Sequence, residues 1–284
     1  MSKSKHVAKP DAAVQVPAAT SERVPLERAI EQLKSPGLGF ERVEHIAGST
    51  YKDSSTVIII PTRATYGTDP TKLPQAVQHQ GIPHQVVSTW LSLIAPMNQK
   101  RAILFASGHE VGRAYDAMIS MILTHPDLSK WKYVMTLEDD NLPPQDAHIR
   151  LLESIEWGNY DAVSGLYFTK GDPNMPMAYG DPAEYARNGV LDFRPRDVRE
   201  ALAAGQIMPV NGIAMGCALW RMELFRQIAE PWYVTMNDIV PGKGVVGFTQ
   251  DLFFCEKAVR AGKKFAVDLR VKVGHMDIQT GIIY

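Results

Sequence analysis

Cysteine is scarce: Cys217 and Cys255 are the two among 284 residues. That excludes a disulfide framework, and their apolar neighbours predict buried, reduced thiols and a reducing compartment. No charge of one sign dominates, since 30 Lys and Arg against 31 Asp and Glu leave a formal net charge of −1. A global basic field for steering onto nucleic acid or an anionic membrane is thereby excluded. Long hydrophobic runs are also missing. The densest, Thr56 to Ile60, is strand-sized and stopped by Pro61, whereas a membrane span needs about 20 apolar residues. The N-terminal stretch MSKSKHVAKP is basic but lacks the apolar core of a secretory signal, so a cytoplasmic location with no membrane association is expected.

What is present is an ordinary globular composition, 45% apolar and 21% charged, in a chain of the length of one large domain. Residues 1–20, rich in Lys, Ala and Pro, predict a flexible basic arm. Residues 21–35 predict a short helix, with Ser21 as cap and apolar positions Val24, Ala29, Ile30 and Leu33. Neither a repeat nor a Gly/Ser linker divides the remainder, so residues 36–284 are expected to form a single domain.

Apolar runs and helical periodicity alternate along that domain. A buried strand over 56–60 ends at Pro61-Thr62-Arg63, and a second lies around Ala102 to Phe105. A helix follows from about Glu110 to Leu123, with Val111, Ala114, Tyr115, Met118, Ile119 and Ile122 on one face. The run WKYVMTL then opens into Glu138-Asp139-Asp140. Helical IRLLESIEW, strand DAVSGLYF, an irregular stretch from Gly171 to about Arg196, and GIAMGCALWRMELFRQIA come next. A Gly/Pro-rich loop from Thr235 to Phe248, suited to a lid, leads to helix QDLFFCEKAVRAG, closed by Gly262, and strand KFAVDLRVKVGH. This order predicts an α/β sheet, mostly parallel and flanked by helices, with its site at the carboxyl edge.

Glu138-Asp139-Asp140 is the most informative segment. Adjacent carboxylates at a strand edge repel one another and are usually retained where a cation offsets their charge, which points to a divalent metal. A solvated acidic turn shaped by Asn141 and Pro143 is the plainer alternative.

The arrangement as a whole resembles the DxD-type motif of GT-A glycosyltransferases, especially the inverting family 2 type. Four ordered segments carry the resemblance over about residues 55 to 277: Pro61-Thr62-Arg63, Glu138-Asp139-Asp140, GIAMGCALWR from Gly212 to Arg221, and Thr249-Gln250-Asp251. His275, at the end of the last strand, matches a late metal-ligating His of many such enzymes. The TQDLFF and VGH endings resemble uncharacterised phage-encoded proteins, for which the location would be the host cytoplasm.

The resemblance implies a Rossmann-like fold and transfer of a sugar from a nucleoside diphosphate sugar, commonly a UDP-sugar, to an acceptor hydroxyl. Thr62 and Arg63, beside Pro61, would flank the base. Asp139 would contact the ribose, Asp140 and His275 would hold Mn²⁺ or Mg²⁺, and Asp251 would be the general base. Glu138 stands where a strict DxD has its first Asp. Gly212 and Gly216 would let the backbone approach the donor sugar, tight packing being the alternative. The helix dipole predicts a low pKa for Asp251, which lies in the first turn of its helix. Arg113 and Lys243 are candidate diphosphate contacts. Trp232 and Tyr233 suit core packing or stacking, and Asp277 an exposed turn. The acceptor is open among a modified DNA base, a protein and a saccharide. Two other classes remain: a metal-dependent nucleotidyltransferase or phosphohydrolase using the same acidic edge, and a non-catalytic nucleotide- or sugar-binding module.

Overall fold

The computed structural model describes residues 53–62, 81–203, 205–240 and 244–284. The expected arm and helix over residues 1–35, Arg63 and Lys243 lie outside the described residues.

The first strand, β1 (Thr56–Thr62), is TVIIIPT, and all seven residues are buried. β-branched side chains suit a pleated surface, and burial on both faces marks a central strand. After α1 (His84–Ser92), β2 (Arg101–Ser107) alternates buried and half-buried residues, as an edge strand does. The chain continues through α2 (Val111–Thr124), β3 (Tyr133–Leu137), β4 (Asn141–Leu142), α3 (Ala147–Trp157), β5 (Ala162–Leu166), β6 (Ala178–Tyr179), α4 (Pro182–Asn188), α5 (Arg199–Ala203), β7 (Ile207–Val210), β8 (Gly212–Ile213) and β9 (Cys217–Arg221). It ends with α6 (Met222–Gln227), β10 (Met236–Val240), β11 (Gly244–Phe248), α7 (Gln250–Arg260), β12 (Phe265–Lys272) and β13 (Gly274–His275).

Seven strands form the central sheet in the order β2-β1-β3-β9-β5-β12-β7. β1 pairs in parallel with β2 and β3, and β5 with β12. β9 lies antiparallel between β3 and β5, and β7 is antiparallel to β12. Five of the seven strands, all but β9 and β7, therefore run in one direction, with β1 and β3 sending their carboxyl ends to one edge.

Helices flank the sheet. Ile58, Ile60, Met135 and Leu219 pack against Leu151 and Ile155 of α3. Adjacent residues Val57 and Ile59 point to the opposite face, and α2 packs on β1 and β2. Its buried residues Ala114, Tyr115, Met118, Ile119 and Ile122 match the expected stripe. An aromatic cluster fixes α6 and α7 to β9: Trp220 lies 5.7 Å from Phe254, and Phe225 stacks on Phe254 at 5.4 Å. Trp232 and Tyr233 belong to this cluster, both 2% exposed, so they pack rather than stack on a ligand.

Two segments differ from expectation. The stretch from Gly171 to Arg196 contains β6 and α4, the latter capped by Asp181, begun at Pro182 and closed by Gly189 at a φ of 71°. Those are ordinary helix start and stop signals, and the helix is short because its sides carry no apolar stripe. Within the segment expected as a loop, Met236–Val240 and Gly244–Phe248 pair as an antiparallel ladder, Met236 opposite Phe248 and Val240 opposite Gly244. Its β-branched residues favour strand pairing despite the glycines.

Candidate active site at the carboxyl edge

The buried run of β3 ends at Leu137, and the chain turns at once. The Glu138 amide donates to the Gly216 carbonyl (3.1 Å), and the Asn141 amide donates to the Glu138 carbonyl (3.2 Å). β4 then pairs antiparallel with β13, placing His275 opposite Asn141, while the Met276 amide donates to the Asp140 carbonyl at 2.7 Å. The last strand of the chain thus clamps the acidic turn through its backbone.

Asp139, Asp140 and Asn141 are all buried. Asp140 Oδ1 accepts from Asn141 Nδ2 at 2.8 Å and lies 3.8 Å from His275 Nε2. Asp140 Oδ2 accepts from Lys170 Nζ at 2.6 Å. His275 Nδ1 is 2.6 Å from the Phe168 carbonyl. A carbonyl only accepts, so Nδ1 carries the proton in that bond, and Nε2 is the nitrogen that faces Asp140. An imidazole N–H donated to a backbone carbonyl is the usual second-sphere bond of a metal-binding His, and it fixes which nitrogen faces outward.

Two tyrosines support the turn from below. Tyr167 meets the His275 ring edge-on at 5.6 Å, and its hydroxyl accepts the Gly216 N–H at 2.6 Å. Tyr115 donates to Glu138 Oε1 at 3.4 Å. Burial, reinforced by the Glu138 charge, holds both phenols well above their ordinary pKa, so they stay protonated as donors.

Gly216 takes its place for a packing reason. A Cβ there would fall 2.5 Å from Asn141 Oδ1 and 2.6 Å from its Cγ. The glycine makes room for the amide that anchors Asp140, the tight packing that was the alternative to donor approach. Gly212 likewise packs against Phe193 and Leu252, whose atoms would lie 2.8 and 3.0 Å from a Cβ.

Asp251 sits in the first turn of α7, a helix that packs on β8. Its carboxylate accepts the Leu252 N–H at 2.9 Å and is 6% exposed. The expectation of a low pKa is overturned: burial raises it, outweighing the opposing hydrogen bonds from Thr249 and Leu252. A helix dipole is a fraction of a charge at the protein surface, whereas desolvation acts on the whole carboxylate. The Asp251 charge also acts on Tyr167, which feels Glu138 as well.

The other candidates lie on separate elements. Pro61 and Thr62 end β1, where the Thr62 carbonyl accepts the Gly108 N–H at 3.2 Å. Arg113 is exposed on the first turn of α2, its amide bonded to the capping Glu110. Glu110 also accepts from Thr235 Oγ1 at 2.9 Å, tying that helix start to the segment before β10. Asp277 caps a turn, accepting from Gln279 N and Thr280 Oγ1, as expected, but is half-buried rather than exposed. Cys217 and Cys255 are buried, and burial pushes the Cys217 thiol up to about 12 and the Cys255 thiol higher still, so both are inert.

Lys170 and Tyr167 were not singled out by sequence. Tyr167 reads as one more apolar residue of its strand, and Lys170 opens a Gly/Pro-rich stretch; the contact that matters comes from a turn far away in the chain. Among the described residues no group of three or more His, Cys, Asp or Glu converges to hold a metal ion. Among them, too, no helix is long and apolar enough to cross a membrane.

No family model matches the chain. No curated protein matches it. Among solved structures, the crystal structure of A197 from STIV is similar, at 15% identity and a TM-score of 0.49, over 79% of this chain and 87% of that one.

Proposed function

We propose that this protein is a metal-assisted glycosyltransferase of the GT-A type, moving a sugar from a nucleoside diphosphate sugar, first candidate a UDP-sugar, to an acceptor hydroxyl with inversion. The observation that carries the reading is the pairing of Asp140 Oδ1 with His275 Nε2 at 3.8 Å, with the other ring nitrogen tied to the Phe168 carbonyl. Two donors on a strand edge, one hard oxygen and one neutral imidazole, suit Mn²⁺ or Mg²⁺ that completes its shell with water and phosphate oxygens. Asn141 Oδ1 adds to the fit, being buried beside Asp140 and without a hydrogen-bond partner among the described residues. The bound cation would neutralise charge on the leaving diphosphate.

The chain's own residues supply the rest. Asp139 and Glu138 offer carboxylates to the ribose hydroxyls, held at fixed positions by β3 and by Tyr115. Asp251, its pKa raised by burial, is a better base than a surface carboxylate for removing the acceptor proton. The acceptor is a hydroxyl of a saccharide, a protein or a modified DNA base.

Titration calorimetry of UDP, GDP and dTDP with and without Mn²⁺, on the wild type and on Asp140→Ala, tests the proposal. Metal-dependent binding of one nucleotide, lost in the variant, is the expected result. Absence of binding by all three in the presence of Mn²⁺ and of Mg²⁺ would sink it.

A further inference from the structure

Lys170 lies just past β5, in a segment closed by hydrogen bonds from Thr169 N to the Met175 carbonyl (2.8 Å) and from Met177 N to the Tyr167 carbonyl (2.9 Å). Its ammonium is 2.6 Å from Asp140 Oδ2, and its side chain is 31% exposed against 9% for Asp140. The lysine therefore reaches from the solvent side onto a carboxylate buried beneath it. Asp140 Oδ1 is meanwhile engaged by Asn141 and faces His275. Both oxygens of the candidate metal ligand are thus in use, one of them by a full positive charge.

We infer that Lys170 is a resident counter-ion of Asp140 that a divalent cation must displace, and that the displaced ammonium then pairs with the diphosphate arriving with that cation. This deepens the proposed function and rests on it. The physical reasoning is one of charge balance. A buried carboxylate beside Glu138 and Asp139 needs a compensating cation, and an ammonium at hydrogen-bond distance provides one before any ligand binds. A divalent ion entering alone must break that ion pair and leave the ammonium with the more distant charge of Asp277 in place of a direct partner. An ion entering with a diphosphate breaks the same pair but gives Lys170 two phosphates to face. Cation and nucleotide should therefore bind with positive coupling, each raising the affinity for the other by the same factor. Lysine suits such a role because its flexible stem and point charge let it move between partners.

The experiment measures Mn²⁺ alone by electron paramagnetic resonance of the free ion, then UDP, GDP and dTDP with and without Mn²⁺ by calorimetry, on wild type, Lys170→Gln, Lys170→Arg and Asp140→Ala. In Lys170→Gln, Mn²⁺ without nucleotide is expected to bind roughly tenfold tighter, the order of effect for losing one competing charge at a partly exposed pair. The nucleotide's enhancement of Mn²⁺ binding should shrink in the same variant. Lys170→Arg keeps the charge and should keep weak Mn²⁺ binding, which separates charge from damage to the fold. Mn²⁺ affinity in Lys170→Gln equal to or weaker than wild type, with Asp140-dependent binding intact, would overturn the role of Lys170 and leave the proposed function standing. No Mn²⁺ binding by any protein, with or without nucleotide, would overturn both.

Discussion

The side-chain amide of Asn141 fills the space that a Cβ on Gly216 would need, with Oδ1 2.5 Å from that position. Asn141 Nδ2 in turn donates to Asp140 Oδ1, and the Gly216 carbonyl accepts the Glu138 amide. The bare backbone of the 212–216 segment and the acidic turn are therefore one packed unit, although they lie far apart in sequence. The position of the Asp140 carboxylate depends on an atom that Gly216 lacks.

Gly216→Ala should consequently act on the site more than on the fold. The added methyl must push Asn141 away from Asp140, at a cost of about 1–3 kcal/mol for overpacking a tight contact. A moderate loss of thermal stability is expected, with loss of Mn²⁺-dependent nucleotide binding measured by calorimetry. A variant that binds nucleotide as the wild type does would show that the Asn141 contact does not set the carboxylate.

Much of the scaffold was legible because its determinants are local. β1 and β3 announce themselves as short apolar runs, and α2 as a stripe at helical spacing whose members are the residues the structure buries. The turn from β3 into Glu138 was legible too, since an abrupt change from apolar to acidic marks a strand edge. The network inside the site was not. Lys170 on Asp140, Tyr167 under Gly216 and His275 against Asn141 are contacts across the sheet, and no local pattern encodes which strand lies next to which. The pKa of Asp251 failed for the same reason, because its helical position is visible in sequence and the depth of its burial is not.

Tyr167→Phe removes a hydroxyl that accepts the Gly216 N–H at 2.6 Å in a fully buried setting. The amide left behind costs about 1–3 kcal/mol when no water replaces the partner. A fall in the midpoint of thermal or urea unfolding of that order is expected, together with weaker Mn²⁺ binding through the loosened His275 contact. Unchanged stability would mean that water takes the place of the hydroxyl.

His148 gives the fold an acid sensitivity remote from the site. Its Nε2 lies 3.0 Å from Thr56 Oγ1 in the core, and burial, followed by the Arg101 charge, lowers its pKa from 6.5 to about 3. The unfolded chain therefore binds a proton below pH 6.5 that the folded chain refuses. Stability is present in full above 6.5 and falls as pH drops toward 3, with a slope of at most about 1.4 kcal/mol per pH unit from this group. His148→Gln keeps a polar partner for Thr56 but cannot titrate. Urea unfolding across this range should be less steeply pH-dependent in the variant, and an identical slope would place the acid sensitivity elsewhere.

Asp251 carries opposite consequences for stability and for activity. Burial raises its pKa above the ordinary 3.8, so the folded state holds the proton more tightly than the unfolded chain. The favourable contribution is complete below the unfolded pKa and is lost as pH rises through the folded one, leaving a buried charge at neutral pH that opposes folding. Asp251→Asn removes that charge, and a higher midpoint of thermal unfolding at pH 7 than the wild type is expected, with the difference vanishing in acid. Activity should move the other way. A base must be deprotonated to accept the acceptor's proton, so the rate of sugar transfer by the wild type should climb with pH through a value above the usual Asp range. In Asp251→Asn that limb should disappear and kcat should fall by about 10²–10⁴, with nucleotide affinity unchanged. A variant that is more stable and equally active would assign Asp251 to the fold and leave the base to be sought on another residue of the edge.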